Sequence, residues 1–321
     1  MAEMPVILTI GHSTHPLDKF IPLLQAYTVA RVVDVRTIPR SRRFSLPPVM
    51  KGTACEGCGA LPAADLLAEL LGPKMAVICP ASCAATFSLS YTNASWAIPF
   101  VHWIFESAPA AATGLRHAYD ARGMRDVQVV CFAGDSGTLD IGFQALSGAA
   151  SRNENILYIC YDNEVAMNTQ GQATSSSPAR ARTPTTPRGV STLKKDAPRI
   201  MAAHGVPYVA TAAVSHRADY RAKLKRAARV RGFRYLHVLS PCPIAWGYPH
   251  DQTIEVTRAA VETGMWMLYE ITDGRMKISY RPKRRRPVRE YLALQRRFAH
   301  LSRREAHSLQ RRVDESWRAT L

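Results

Sequence analysis

Residues 131–172 read CFAGDSGTLDIGFQALSGAASRNENILYICYDNEVAMNTQGQ. A β-rich run, Val127 to Phe132, leads into a tight turn, Ala133-Gly134-Asp135-Ser136-Gly137. The apolar spacing predicts a helix from about Leu139 to Ala150. A second buried strand, Ile156 to Tyr161, follows and is closed by Asp162-Asn163-Glu164. Strand, helix and strand in this order form a parallel βαβ unit, which lays the two strand ends side by side although they are distant in sequence. Ligands of open α/β sheets bind at those carboxyl ends.

The residues there suit a charged phosphate ligand with a hard cation. Asp135 offers a carboxylate, Asn163 an amide oxygen, and the chain beyond it a main-chain carbonyl. Such oxygens fit Mg²⁺, which keeps part of its octahedron for phosphate. Gly134 and Gly137 allow backbone N–H groups to come close to a diphosphate, and the next helix turns its N-terminus toward it.

GDSGTLDIG followed by YICYDNEVAMNTQGQ resembles the thiamine-diphosphate site of the β subunit of pyruvate:ferredoxin oxidoreductase (pyruvate synthase). The resemblance implies that Asp135, Asn163 and the carbonyl of Val165 hold Mg²⁺. It implies that Gly134, Ser136, Gly137, Asn168 and Thr169 lie along the diphosphate. Ser136 is a departure, because thiamine enzymes usually carry a second glycine there.

Composition narrows the class. The chain has 321 residues, 47% of them hydrophobic, enough for a sizeable core. No apolar run reaches the roughly 18 residues of a membrane span. The start, MAEMPVILTIGHS, has no basic region or cleavage pattern of a signal peptide, so a cytoplasmic location is expected. Seven cysteines in a reducing compartment more often bind metal than form disulfides. The net charge of +17 calls for an acidic partner; a phosphorylated cofactor or an acidic protein is expected before nucleic acid.

The expected fold class is α/β: a doubly wound, mostly parallel sheet of the thiamine-diphosphate-binding type, with a short βαβ extension at the N-terminus. Residues 1–45 form that extension. TIGHSTHPLDKF and VVDVRTIPRSRR resemble the amino end of a small uncharacterised bacterial α/β family with GHS and DVR motifs. His12, Asp34 and Arg36 would be remnants of its site, in a fragment without activity of its own. Residues 46–287 form the cofactor domain, and residues 288–321 a basic C-terminal helix. Within the domain, helix is expected over Leu61–Leu71, Leu193–Ala203, Ala218–Arg229 and Thr253–Thr263. Tyr91 to Phe105 is aromatic and reads as core or as a lining of the substrate entrance. Thr174 to Gly189, TSSSPARARTPTTPRG, reads by composition as a loop or disordered linker. Its Arg180, Arg182 and Arg188 would be solvated or meet an anionic substrate or coenzyme A.

Cys55-x-x-Cys58 is a two-ligand turn for a soft metal, with Cys79, Cys83 and Cys242 as possible partners. Cys131 and Cys160 fall inside apolar strands and read as core. Two solutions stand on the residues alone. Zinc would take Cys55, Cys58, Cys79 and Cys83; a [4Fe–4S] cluster would take Cys55, Cys58, Cys83 and Cys242. The resemblance, which extends over about residues 52–298, implies the second. It further implies oxidative decarboxylation of pyruvate to acetyl-CoA and CO₂, with coenzyme A as acceptor and ferredoxin as electron sink. No catalytic side chain is expected here: the glutamate that activates thiamine belongs to the partner α subunit. Further γ and δ subunits are implied. Another 2-oxoacid (branched-chain, aryl or dicarboxylic) or a degenerate, non-catalytic binding subunit are the alternatives.

Overall fold

A computed structural model describes residues 54–88, 96 and 98–320. The chain divides into two units between Arg42 and Arg43, and all of the described residues belong to the second. The amino-terminal extension, with His12, Asp34 and Arg36, lies outside the described residues, as do positions 91–95 and 97 of the aromatic segment.

Eight strands form one sheet in the order β2-β1-β3-β4-β6-β5-β7-β8. They are β1 Met75–Pro80, β2 Phe100–Trp103, β3 Gln128–Gly134, β4 Leu157–Asp162, β5 Tyr208–Ala213, β6 Arg234–Leu239, β7 Leu268–Thr272 and β8 Arg275–Tyr280. The first six run parallel. The last two form an antiparallel hairpin on the β5 edge. Its turn is Asp273-Gly274, both at positive φ, the residue pair that two-residue hairpins select.

Both faces of the central strands are covered, which explains their unbroken apolar sequences. Along β3, Val130 and Phe132 point into one layer, while Val129, Cys131 and Ala133 point into the other. The first layer is made by α1 (Ala60–Leu71), α2 (Cys83–Ser88) and α7 (Arg217–Ala227). The second is made by α3 (Ala108–Ala121), α5 (Phe143–Ser151) and α6 (Ala197–Ala203). Helix α4 (Asp135–Leu139) starts directly at the end of β3 and α8 (Pro243–Trp246) just past β6. A third apolar cluster joins α9 (Thr253–Glu262), α10 (Val288–Ala293) and α11 (Arg303–Thr320) around Trp246, Trp266 and Trp317.

Four local expectations change. The helix expected over Leu139–Ala150 is split at Asp140, which leaves helical geometry and turns its carboxylate to the backbone N–H of Ser175 at 3.2 Å. The helix expected from Leu193 starts only at Ala197, capped by Asp196, because Lys194 and Lys195 are drawn down to acceptors at the sheet edge. The loop 174–189 is ordered, not a disordered linker; its hydroxyls are bonded to strand-end groups. The basic C-terminal helix is two helices. Between them Arg297 and Phe298 turn inward, and the pair packs on the domain core. Among the described residues no helix is long and apolar enough to cross a membrane.

Candidate functional site

The carboxyl ends of four adjacent strands, β1, β3, β4 and β6, carry the residues of interest. The ends are level: Gly134 pairs with Tyr161 and Asp162 with Leu239. Beyond β3 comes Asp135, beyond β4 Asn163, beyond β1 Cys83 and beyond β6 Cys242.

Gly134, Asp135, Ser136, Gly137, Asn163, Val165 and Asn168 line one narrow cleft, together with Ser82, Cys83, Phe105 and Tyr161. Thr169 does not line it; its hydroxyl donates to the Ala166 carbonyl at 3.3 Å and also to the Gln172 side chain. Asp135 is buried and accepts from the Thr174 hydroxyl at 2.6 Å. Burial, and then the neighbouring Asp162 carboxylate, raise its pKa well above the usual carboxylate range. Burial would raise Asp162 also, but the Lys194 ammonium and His237 outweigh it and hold Asp162 low. The two neighbouring carboxyl groups are therefore shifted in opposite directions, Asp135 up and Asp162 down. A buried carboxylate, an amide oxygen and a local carbonyl form a hard donor set with surplus negative charge beside it, and that set fits Mg²⁺.

A buried network holds these residues in place. Asp162 receives His237 Nε2 at 2.7 Å, Lys194 Nζ at 2.7 Å and the Ser176 hydroxyl. Glu164 sits between Asn163 and Val165 at φ 60°, a left-handed conformation that costs a non-glycine residue about 1–2 kcal/mol. Every polar group of Glu164 is bonded. Its N–H donates to Asp162 at 2.8 Å, its carbonyl accepts from Ser177 at 2.7 Å, and its carboxylate takes Lys194 at 2.9 Å and Arg297 at 2.7 Å. Arg297 in turn lies 3.6 Å from the centre of the Trp246 ring. These partners escaped the sequence reading, because Lys194, His237 and Arg297 are scattered along the chain. One signal was available: His237 is an ionisable residue in the middle of the buried run YLHVL.

The four cysteines Cys55, Cys58, Cys83 and Cys242 meet at the same edge. The Cys55–Cys58 turn is docked on the segment that follows β6: Gly59 N–H donates to Pro241 O at 3.1 Å, Thr253 Oγ1 to Gly57 O at 2.5 Å, and His250 Nδ1 lies 3.1 Å from Glu56 O. Gly57 has φ +69°, and a Cβ there would stand 2.1 Å from the His250 carbonyl, so only glycine permits this approach. Burial pushes the Cys83 thiol up to about 12, with Cys58, Cys242, Asp135 and Cys55 adding to it. Cys242 is pushed up to about 11 by burial, with further contributions from Cys58 and Cys55. Burial of this kind favours the neutral thiol, and four cysteine sulfurs are the donor set that a [4Fe–4S] cluster would take.

Cys79 faces elsewhere. It is buried in the core layer and its sulfur lies 3.6 Å from Ser82 Oγ. Zinc in a tetrahedral site needs thiolates about 2.3 Å from one ion. Among the described residues no three His, Cys, Asp or Glu side chains are grouped to hold a single metal ion. Cys131 and Cys160 are buried between the sheet and its helices.

A larger cavity, about 200 Å³, opens beside the cleft and shares Val165 and Met167 with it. Arg182, Arg297, Ile244 and Trp246 contribute to its lining. The other two loop arginines lie apart: Arg180 pairs with Glu305 at 3.2 Å and Arg188 is exposed.

Residues 78–238 match the family described as thiamine pyrophosphate enzyme, C-terminal TPP binding domain. A pyruvate synthase subunit PorB of Methanothermobacter marburgensis is 46% identical over 265 residues, covering 81% of this chain and 92% of the relative. The chain belongs to the family of PorB-like, thiamine-diphosphate-binding subunits. The PorB of Methanocaldococcus jannaschii is 44% identical over 88% of this chain and 97% of its own length. Within the same family, the ketoisovalerate oxidoreductase subunit VorB of Pyrococcus abyssi is 38% identical over 83% of this chain and 89% of its own. A solved 2-oxoglutarate:ferredoxin oxidoreductase from Magnetococcus marinus, with 2-oxoglutarate, coenzyme A and succinyl-CoA bound, superposes with a TM-score of 0.53 at 27% identity. It covers 65% of this chain and 70% of that one.

Proposed function

We propose that this chain is the thiamine-diphosphate- and [4Fe–4S]-binding subunit of a complex that oxidatively decarboxylates pyruvate, passing the acyl group to coenzyme A and electrons toward ferredoxin. The carrying observation is a hard-oxygen cleft at the ends of β3 and β4 that Cys83 also lines, with Cys242 following the neighbouring β6 and the Cys55–Cys58 turn docked on the segment beyond it. Thiamine diphosphate supplies a carbanion-stabilising centre able to cleave the bond between the carbonyl and carboxyl carbons of a 2-oxoacid.

The chain's own residues hold and orient. Asp135, Asn163 and the Val165 carbonyl would bind Mg²⁺, and the turn from Gly134 to Gly137, with Asn168, would receive the diphosphate. Cys55, Cys58, Cys83 and Cys242 would hold the cluster that takes electrons away. No proton-transfer residue need come from this chain, since a partner α subunit would provide the activating glutamate; γ and δ subunits would complete the complex. A surplus of basic residues, 42 against 25 acidic, agrees with an acidic electron acceptor.

A second reading changes only the substrate. Relatives named for ketoisovalerate and 2-oxoglutarate favour keeping a branched-chain or dicarboxylic 2-oxoacid as the alternative. The test is the reconstituted complex, assayed for coenzyme A-dependent reduction of ferredoxin against a panel of 2-oxoacids. Highest kcat/KM with pyruvate supports the first reading, and preference for another 2-oxoacid replaces it with the second. Purified chain with neither iron nor thiamine diphosphate would point to a degenerate binding subunit and sink both.

A further inference from the structure

The strand end that would bind the cofactor also touches the cysteines. Asn163 Oδ1 accepts from the Val165 N–H at 3.3 Å. An N–H donates only to the oxygen of an amide, so this bond fixes which way the group is turned. Its nitrogen is then the atom aimed at Cys83, with Nδ2 3.9 Å from the sulfur. The main-chain carbonyl of Asn163 accepts from Trp246 Nε1 at 2.7 Å. Trp246 belongs to α8, whose first turn is capped by the Cys242 sulfur. Two residues further back in the strand, the Tyr161 hydroxyl accepts from the Ala84 N–H at 2.9 Å, in the first turn of the helix that Cys83 opens. The end of β4 is thus bonded to the segments of two of the four cysteines, one of them through its sulfur.

We infer that Asn163 couples the two sites: occupation of its side-chain oxygen by the cofactor's cation raises the reduction potential of the cluster through the N–H···S contact to Cys83. The inference rests on the functional reading above. Its physics is simple. Hydrogen bonds to cluster sulfurs favour the reduced state, because they stabilise added negative charge. A cation on Oδ1 withdraws electron density from the amide and makes the opposite N–H a stronger donor. Cation and diphosphate roughly cancel in net charge, so the polarised amide decides the sign. Asn163 is a positioning residue in this scheme, since it acts on the cluster through Cys83. Linkage makes the effect reciprocal: a reduced cluster would bind the cation and diphosphate more tightly. Electrons would therefore have a favourable destination only once the cofactor is seated.

The experiment is an anaerobic redox titration followed by electron paramagnetic resonance, on the complex purified with its partner subunits. Wild type, Asn163→Ala and Asn163→Asp are each titrated with and without Mg²⁺ and thiamine diphosphate. Without cofactor, the potential of this chain's cluster should fall in the order wild type, Asn163→Ala, Asn163→Asp. Loading, at concentrations that calorimetry shows to saturate each protein, should shift the wild type upward and leave Asn163→Ala in place, while Asn163→Asp rises only as its added carboxylate is neutralised. Equal cofactor-free potentials in all three proteins would overturn the inference, and so would a wild-type potential that does not move although calorimetry shows the cofactor bound. Absence of iron, or of cofactor binding by the wild type, would instead overturn the functional reading.

Discussion

Trp246 is the residue whose loss is most informative. It is fully buried, its indole N–H is bonded to the Asn163 carbonyl at 2.7 Å, and its face carries the Arg297 guanidinium at 3.6 Å. Trp246→Phe keeps an aromatic face for Arg297 and removes the donor. Leaving a buried carbonyl without its partner costs about 1–3 kcal/mol, and the smaller ring adds a void worth on the order of 1 kcal/mol. Together these give about 2–4 kcal/mol. Unfolding entropy of about 2.1 cal/mol/K per residue, applied to residues 43–321, amounts to about 0.6 kcal/mol per degree, so Tm should fall by about 3–7 °C. Trp317→Phe is the control: Trp317 is also buried and its indole donates at 3.1 Å to Gly264, away from the cleft. Scanning calorimetry should show both variants destabilised. Titration with Mg²⁺ and thiamine diphosphate should show weaker binding in Trp246→Phe alone, because of the two only that residue is bonded to the strand end that carries Asn163. A Trp246→Phe protein melting within about a degree of wild type, or two variants with the same cofactor affinity, would refute this reasoning.

Asp135→Ala should abolish Mg²⁺–thiamine diphosphate binding with little change in fold; unaltered affinity by calorimetry would remove Asp135 from the ligand set. Cys242→Ala should lose the [4Fe–4S] signal after reduction and Cys79→Ala should keep it, whereas zinc without iron in the wild type would favour the zinc alternative. Deleting residues 1–45 should leave cofactor content and turnover of the reconstituted complex nearly intact, and a large loss would show that the extension belongs to the working enzyme. Asp162 is held below its ordinary pKa in the folded chain, with Lys194 the foremost of the causes that lower it. Its stabilising contribution is therefore present above the unfolded value and is lost as pH falls through the folded one. Asp162→Asn should accordingly be less stable than wild type near pH 6, with the gap beginning to narrow only once pH falls below the ordinary aspartate value of about 3.9 in urea unfolding; a gap that widens on acidification would contradict this.

The parts of the fold set by local pattern were legible in the sequence. VVCFAG and ILYICY read as strands buried on both faces, and the glycines and acidic residues that close them marked the sheet edge. Where helices break was less visible, because the causes are tertiary. Asp140 leaves helical geometry as it receives Ser175, and Lys194 and Lys195 are pulled from a helical pattern to distant acceptors. The strand ends themselves offered Asp135 and Asn163, and the C-x-x-C turn offered Cys55 and Cys58; the resemblance chose among the remaining cysteines, yet it was silent on what holds them. The Asp162–His237–Lys194 and Glu164–Arg297 contacts join residues that no spacing rule connects. At 174–189 composition left loop and disordered linker both open; it is an ordered loop, because each hydroxyl from 174 to 177 has a destination.

Those destinations are taken in order. Thr174 bonds Asp135, Ser175 bonds Asp140, Ser176 bonds Asp162 and Ser177 bonds the Glu164 carbonyl. Four consecutive residues are read out against four fixed acceptors, so the segment behaves as a key whose meaning lies in its phase. A substitution spoils one tooth. A single-residue insertion or deletion between Gln172 and Thr174 displaces all of them together and unroofs two buried carboxylates at once. Length, more than composition, is what this stretch must preserve, and an engineer shortening an apparently featureless loop should begin beyond Pro178.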